Sequence, residues 1–337
     1  MDIAKIILLL LIVVLSIILI RMIIIEQFED KKIITTDKIK SIPVTKKSYP
    51  VNIGTTAIIT TVRNPHKIED WISYHLKIGF NKLYIILDDE NENIEYKDDR
   101  VVIFKNTKEW RNNLATGGML GMFSDKYDEE VMSRQILNFA TVEESARKDG
   151  INWILHIDGD ELFYPEDKPF SEIFNNDYAI IHFDNYEMIP DHDSYQNCFR
   201  EGHKFKTKGE KYIAYSNGKS ALNLTSDAII TGVHGFAGGK LLDKSDGKIL
   251  HYPSCNFSEY LLKYKMLGNF GDKWWGKLEI PIKFHTESRD IINSCKNSEK
   301  ECEEKIRKFY NEKNVLNKNI KESDYKIINF VNENLSN

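Results

Sequence analysis

The stretch Trp153-Ile154-Leu155-His156-Ile157-Asp158-Gly159-Asp160-Glu161-Leu162 decides how the rest of the chain is read. Residues with strand character run into two carboxylates that flank a glycine. Side chains two apart share a face of a strand, so extended geometry through Gly159 predicts Asp158 and Asp160 aimed the same way. Glycine lets the backbone bend and admits a ligand close to it. Magnesium and manganese prefer oxygen ligands and bridge to phosphates, so two carboxylates facing a crevice suit such an ion. A solvated acidic turn after a buried strand is the competing reading. The functional reading built on this stretch falls if both aspartates point away from any cavity, or are already locked by lysine and arginine partners.

Upstream, residues 129–148 carry a helical pattern, with Met132, Ile136, Phe139 and Ala140 on one side and Gly150 at the end. Residues 56–62 are β-branched and read as a buried strand. Asn64 and Pro65 read as a helix start, followed by Ile68, Trp71, Ile72, His75 and Leu76 on one face and a stop at Gly79. His75, on that apolar face, reads as a satisfied core histidine. Residues 83–87 form a strand ending in Asp88-Asp89-Glu90, and residues 101–104 and 178–183 read as two more strands. The glycines at 117, 118 and 121 suggest a mobile loop. This alternation predicts an α/β fold, a mostly parallel sheet flanked by helices, with ligands at the carboxyl ends of the strands. Arg63, Asp88 and Asp158 sit at those ends.

Beyond residue 184 the pattern weakens. Residues 249–253 read as a short strand stopped by Pro253, and residues 257–267 as a helix with Tyr260, Leu261, Tyr264 and Leu267 inward. Trp274 and Trp275 read as packing or as a sugar-stacking pair. The organisation expected is an anchor at 1–25, a stalk at 26–52, a catalytic domain at 53–290 and a helical extension at 291–337.

Composition places the chain among globular proteins, 42% hydrophobic and 29% charged. A net charge of −5 and the lack of a long basic tract argue against nucleic acid as a partner. Residues 6–20 and 22–25 are apolar apart from Ser16, long enough with Arg21 between them for a single-pass membrane helix. The side of the membrane stays open. Arg21, Lys31, Lys32, Lys38 and Lys40 outnumber the preceding Lys5 and favour a cytoplasmic domain. The triplets beginning at Asn223, Asn256 and Asn334 read as glycosylation acceptors and favour a lumen of Golgi or endoplasmic-reticulum type. Of Cys198, Cys255, Cys295 and Cys302, a Cys295–Cys302 disulfide and four free thiols are both admissible, and no zinc spacing is present.

Several pieces together resemble the glycosyltransferases of family 92 and the related family-2-like group. They are Val62-Arg63-Asn64, the run from Glu69 to His75 with Gly79, and the strand ending at Asp88-Asp89. Further on come Gln135, Ile157 to Glu161, Lys219-Ser220, Gly232-Val233-His234 and Leu250-His251-Tyr252. The resemblance covers roughly residues 55 to 270 and departs at Pro65, where that pattern has an acid. It implies a GT-A fold and transfer of a sugar from a nucleotide-diphosphate donor to an acceptor hydroxyl of a glycan, protein or lipid, with inversion. It also implies Mn2+ or Mg2+ held by Asp160, by Asp158 (which can bind ribose instead) and by His251. Arg63, Asp88, Asp89 and Lys219 would bind the nucleotide sugar. The general base stays open among Asp184, Glu187, Asp191 and His234. Two rival classes remain: a membrane-anchored carbohydrate-binding or scaffolding protein with an inactive transferase fold, and a metal-dependent phosphatase or nuclease.

Overall fold

A computed structural model describes residues 49–65, 67–192, 194–207, 212–275, 278–295, 299–315 and 320–336. The apolar run at 6–25 and the stalk up to residue 48 lie outside them. Among the described residues no helix is long and apolar enough to cross a membrane.

The strands are, in chain order, β1 (Thr56–Val62), β2 (Lys82–Leu87), β3 (Val101–Lys105), β4 (Trp153–His156), β5 (Glu161–Tyr164), β6 (Ile180–Phe183), β7 (Asn185–Met188) and β8 (Lys204–Lys206). They continue as β9 (Lys219–Asn223), β10 (Ile229–Gly232), β11 (Gly235–Ala237), β12 (Leu241–Leu242), β13 (Lys248–His251), β14 (Lys273–Trp274), β15 (Leu278–Glu279) and β16 (Tyr325–Ile327). The main sheet has the order β12-β6-β9-β4-β1-β2-β3. β3, β2, β1 and β4 run parallel, β9 is antiparallel to both neighbours, and β12 pairs parallel with β6.

Alternation along these strands divides the core between two faces. Ile58, Leu83, Ile85 and Leu155 pack with Trp71, Ile72 and Leu76 of helix Ile68–Ile78. Ala57, Ile59, Ile86 and Ile154 pack with Ile136, Leu137 and Phe139 of helix Val131–Lys148. Helices thus cover both faces of a parallel-rich sheet, as the alternating pattern predicts.

A second sheet, β16-β8-β7-β13-β5, was not legible in the sequence. The chain enters it three times from the main sheet. Residues 157–160 lead from β4 to β5, Asp184 alone separates β6 from β7, and β12 is followed by β13. β13 pairs with β5 and β7, placing His251 opposite Glu161 and Glu187. The carboxyl ends of β4 and β6 therefore face the end of β13.

The first helix begins at Ile68, later than the Asn64-Pro65 pair implies. Asn64 and Lys67 both have positive φ, and the Asn64 N–H donates to Glu92 at 2.6 Å, so Asn64 lies outside the helix. His75, fully buried on that helix, bridges two elements. Its Nδ1–H donates to the Trp71 carbonyl at 2.8 Å, and its Nε2 accepts the Phe163 N–H at 3.2 Å. Burial pushes its pKa down to about 3. Between that value and the ordinary 6.5 only the unfolded chain binds this proton, so stability falls as pH falls, by about 1.4 kcal/mol per pH unit for this group. His75→Leu should flatten that slope in denaturant titrations between about pH 4 and 7. It should also cost about 1–3 kcal/mol at neutral pH, because the buried Phe163 N–H loses its acceptor.

Candidate active site

The geometry between β4 and β5 differs from extended chain. β4 ends at His156, and the Glu161 N–H donates to the Asp158 carbonyl at 3.1 Å, closing a turn over Asp158-Gly159-Asp160-Glu161. The turn sends the two aspartates to different partners. Gly159 is needed there for space: a Cβ would stand 2.7 Å from Val62 Cγ1. β1 fills the room that the sequence reading gave to a ligand.

Asp158 is enclosed. One carboxylate oxygen accepts from Gln135 of helix Val131–Lys148, and the other accepts from Lys219 Nζ at 2.6 Å. Lys219 has no exposed side-chain surface and also lies 3.6 Å from Glu161 Oε2. Gly218, at φ 59°, sets the start of β9 against Phe183, where a Cβ would collide with the Phe183 carbonyl. Lys219 is therefore walled in as a counter-ion, which corrects the expectation of a lysine open to phosphate. Burial lowers its affinity for a proton, but Asp158 and Glu161 outweigh this and raise its pKa. Burial likewise raises Asp158, and Lys219 overcomes it, leaving Asp158 below the usual carboxylate range. Glu161, fully buried, is pushed up by burial; it accepts the Asp158 N–H at 2.8 Å and the Tyr215 hydroxyl.

Asp160 has a third of its side chain exposed. Its Oδ2 accepts from Lys263 Nζ at 2.8 Å and lies 3.7 Å from His251 Nε2. Burial opposes ionisation here too, but Lys263 and His251 hold Asp160 far below the ordinary value. His251 is 3% exposed, and its Nδ1 has no hydrogen-bond partner among the described residues. The nearest carboxylate to that atom is Glu187, at 3.9 Å. Both aspartates are thus paired with lysines, which counts against the functional reading taken from this stretch; only Lys263, partly exposed, leaves its aspartate open to exchange.

Fit to a divalent cation rests on Asp160 and His251. In the octahedral geometry of Mg2+ and Mn2+, two neighbouring ligands about 2.1–2.2 Å from the ion stand about 3.0–3.1 Å apart. The observed 3.7 Å separation is wider, so the two atoms would close by roughly 0.6–0.7 Å on one ion, as Lys263 leaves Asp160. Oxygen and imidazole donors suit manganese, and a buried carboxylate behind the histidine is a common way to fix a ligating ring. Asp158, with both oxygens engaged, does not join this pair.

The remaining sequence candidates divide clearly. Asp88 is nearly buried and holds Arg134 through both carboxylate oxygens, at 2.8 and 3.1 Å. Arg63 and Asp89 are more exposed and 3.9 Å apart. Arg134 and Gln135 are adjacent in helix Val131–Lys148, so one helix start ties the ends of β2 and β4 together. Glu187 is buried and accepts the N–H groups of Ile213 at 2.7 Å and Ala214 at 3.0 Å. Asp184 is exposed at the switch between sheets. Asp191 is about half exposed, accepts from the Tyr195 hydroxyl and lies 3.7 Å from His192. His234 donates from Nδ1 to the Gly218 carbonyl at 2.6 Å; burial, then Lys219, lowers its pKa to about 3.

Sequence reasoning missed Lys263, Arg134 and Tyr215. Lys263 stands three residues after Tyr260, a helical spacing that sets it near the inward side. The cysteine expectation also changes: Cys198 and Cys255 form a disulfide, with Cα atoms 6.1 Å apart, while Cys295 and Cys302 are unbridged. Glu259 lies beside that disulfide, but its oxidised sulfurs leave no thiolate ligands for a metal. Trp275 is a packing residue, donating to Ser133 Oγ at 2.8 Å and lying against Phe123.

The fold and crevice describe an α/β protein with its charged site at strand ends, and similarity to other proteins narrows the class. No protein-family model matches the chain. It is 25% identical over 231 residues to an Arabidopsis thaliana protein named glycosyltransferase-like, covering 56% of this chain and 51% of that protein. A second glycosyltransferase-like protein of the same plant is 23% identical over 231 residues, covering 56% of this chain and 45% of its own length. The chain spans about half the length of the curated relatives it matches. These similarities support a glycosyltransferase-like relationship.

Proposed function

We propose that this protein is a glycosyltransferase of the GT-A, family-92-like type, using a nucleotide-diphosphate sugar and inverting the anomeric carbon. The supporting observation is the approach of Asp160, after β4, to His251, at the end of β13, together with the glycosyltransferase-like relatives. Mn2+ or Mg2+ bound there would supply charge neutralisation for a departing diphosphate. Asp160 and His251 would hold the ion, with the Glu187 carboxylate 3.9 Å behind the His251 ring. Asp158 keeps Lys219 and Gln135 in place, so that the turn carrying Asp160 stays fixed. Arg63 and Asp89, at the exposed ends of β1 and β2, suit the nucleoside, with Asp88 holding Arg134 beneath them.

Asp184 is our choice among the general-base candidates. It is exposed beside Phe183, which pairs in register with Lys219, and no ion pair or side-chain hydrogen bond engages it among the described residues. Glu187 and Asp191 are held by hydrogen bonds, and His234 is a weak base with so low a pKa. Asp184→Asn should lower turnover about 10²–10⁴-fold with little change in donor KM. Near wild-type turnover would move the base to Asp191 or His234.

The disulfide supports an oxidising compartment for the folded domain, and so the luminal side of a membrane. The triplets at Asn223 and Asn256 do not add to that, because both side chains are buried in structural hydrogen bonds. Acceptor and donor sugar follow from experiment: incubation with a panel of nucleotide sugars and Mn2+ should release nucleoside diphosphate from one of them. Release of inorganic phosphate would favour a phosphatase. A second reading, a binding or scaffolding protein with an inactive site, draws support from the two lysine–aspartate pairs. It expects no turnover of any donor.

A further inference from the structure

Two lysines neutralise the aspartates, but they are built differently. Lys219 is sealed between Asp158 and Glu161. Lys263 lies at the rim, a third exposed, and reaches Asp160 from helix Phe257–Leu267. That helix is fixed at its start, where the Asn256 side chain accepts the Glu259 N–H at 2.8 Å and Cys255 is bridged to Cys198. Its lysine stem is long and flexible, so the ammonium can swing while the helix stays put.

The ammonium sits on the same oxygen, Asp160 Oδ2, that faces His251 Nε2. A divalent ion shared by Asp160 and His251 would meet Lys263 at close range, and like charges at such a distance repel strongly. Beyond Asp160 lies a buried histidine whose Nδ1 is unpaired among the described residues, a second sign that the arrangement with lysine leaves the site incomplete.

We infer that Lys263 is the resident counter-ion of Asp160 and competes with the divalent cation for it. The ion arrives, Lys263 leaves Asp160, and its charge becomes available at the rim, where the donor's phosphates would lie. This rests on the proposed cation-dependent reading. Lys263 is then a positioning residue that makes metal alone bind weakly and metal with nucleoside diphosphate bind well.

The test uses the full chain and Mn2+ alone, with free Mn2+ followed by electron paramagnetic resonance. Lys263→Met should bind Mn2+ at least about tenfold more tightly than the wild type, and Lys263→Arg should stay weak. Equal or weaker binding by Lys263→Met, with the wild type still binding Mn2+, overturns the competition and leaves the cation reading standing. Absence of Mn2+ binding in every variant, even with a nucleoside diphosphate present, overturns both. A second measurement needs no substitution. Acylation of Lys263 in the wild type by a small amine reagent, read by mass spectrometry, should speed up at least about threefold when Mn2+ is added. An unchanged rate overturns the displacement.

Discussion

Asp160→Asn is expected to reduce glycosyl transfer at least about 10³-fold while leaving the protein folded. The substitution keeps the shape of the side chain and removes the charge from the aspartate that stands beside His251. The amide would still reach Lys263, but it would no longer offer an anionic oxygen 3.7 Å from His251. The fold has little stake in that charge. The Asp160 backbone carbonyl, which accepts the Tyr252 N–H at 2.9 Å, is untouched by the change. Turnover of the donor identified by the nucleotide-sugar panel, set beside the thermal midpoint of the same sample, measures both parts. Full activity in the variant would remove Asp160 from the chemistry.

Lys219→Met should have the largest effect on stability, a loss of about 3–5 kcal/mol, because it leaves the buried Glu161 and the partly buried Asp158 with no cation between them. Lys219 has no exposed side-chain surface, and it lies 2.6 Å from Asp158 and 3.6 Å from Glu161, which is itself fully buried. Removing both ends of the closer pair, as Lys219→Met with Asp158→Asn, should recover part of the loss. A double-mutant cycle in denaturant reads that coupling directly. If Lys219→Met costs less than about 1 kcal/mol, the lysine is not the counter-ion of this cluster and is free to serve a phosphate after all.

The legible part of this molecule is the part governed by local periodicity. The runs at β1, β2 and β4 are short, β-branched and apolar on both sides because helices cover both faces of the sheet, and they read as strands at once. Helix Phe257–Leu267 has the bounds read from the sequence, with Tyr260 and Tyr264 inward, but Leu267, expected inward, is exposed because it lies in the last turn. The second sheet did not read out, since its strands are short and find partners far along the chain; Tyr325 pairs with Lys206, and Glu161 with His251. The disulfide is equally non-local, joining cysteines 57 positions apart.

At the site the sequence marked the right turn but not its shape. Strand alternation aims Asp158 and Asp160 together only if the backbone stays extended, and the Glu161-to-Asp158 hydrogen bond breaks that condition. Glu161, counted as the continuation of a motif, instead turns its side chain back to accept the Asp158 N–H and completes a buried acid–lysine cluster. Lys263 stayed hidden because a lysine in a charged helix reads as solvated surface. Only the arrival of its helix opposite β5 and β13 makes it a partner of Asp160.

The central claim is that Asp160 and His251 hold a cation that receives the diphosphate of a nucleotide sugar. Calorimetric titration of the wild-type protein with UDP and with GDP, each in Mn2+ and in EDTA, tests it most directly. Binding of one nucleotide in Mn2+ that falls at least about tenfold in EDTA, and is lost in Asp160→Asn, is the expected result. Equal affinity in Mn2+ and EDTA, unaffected by Asp160→Asn, would contradict it.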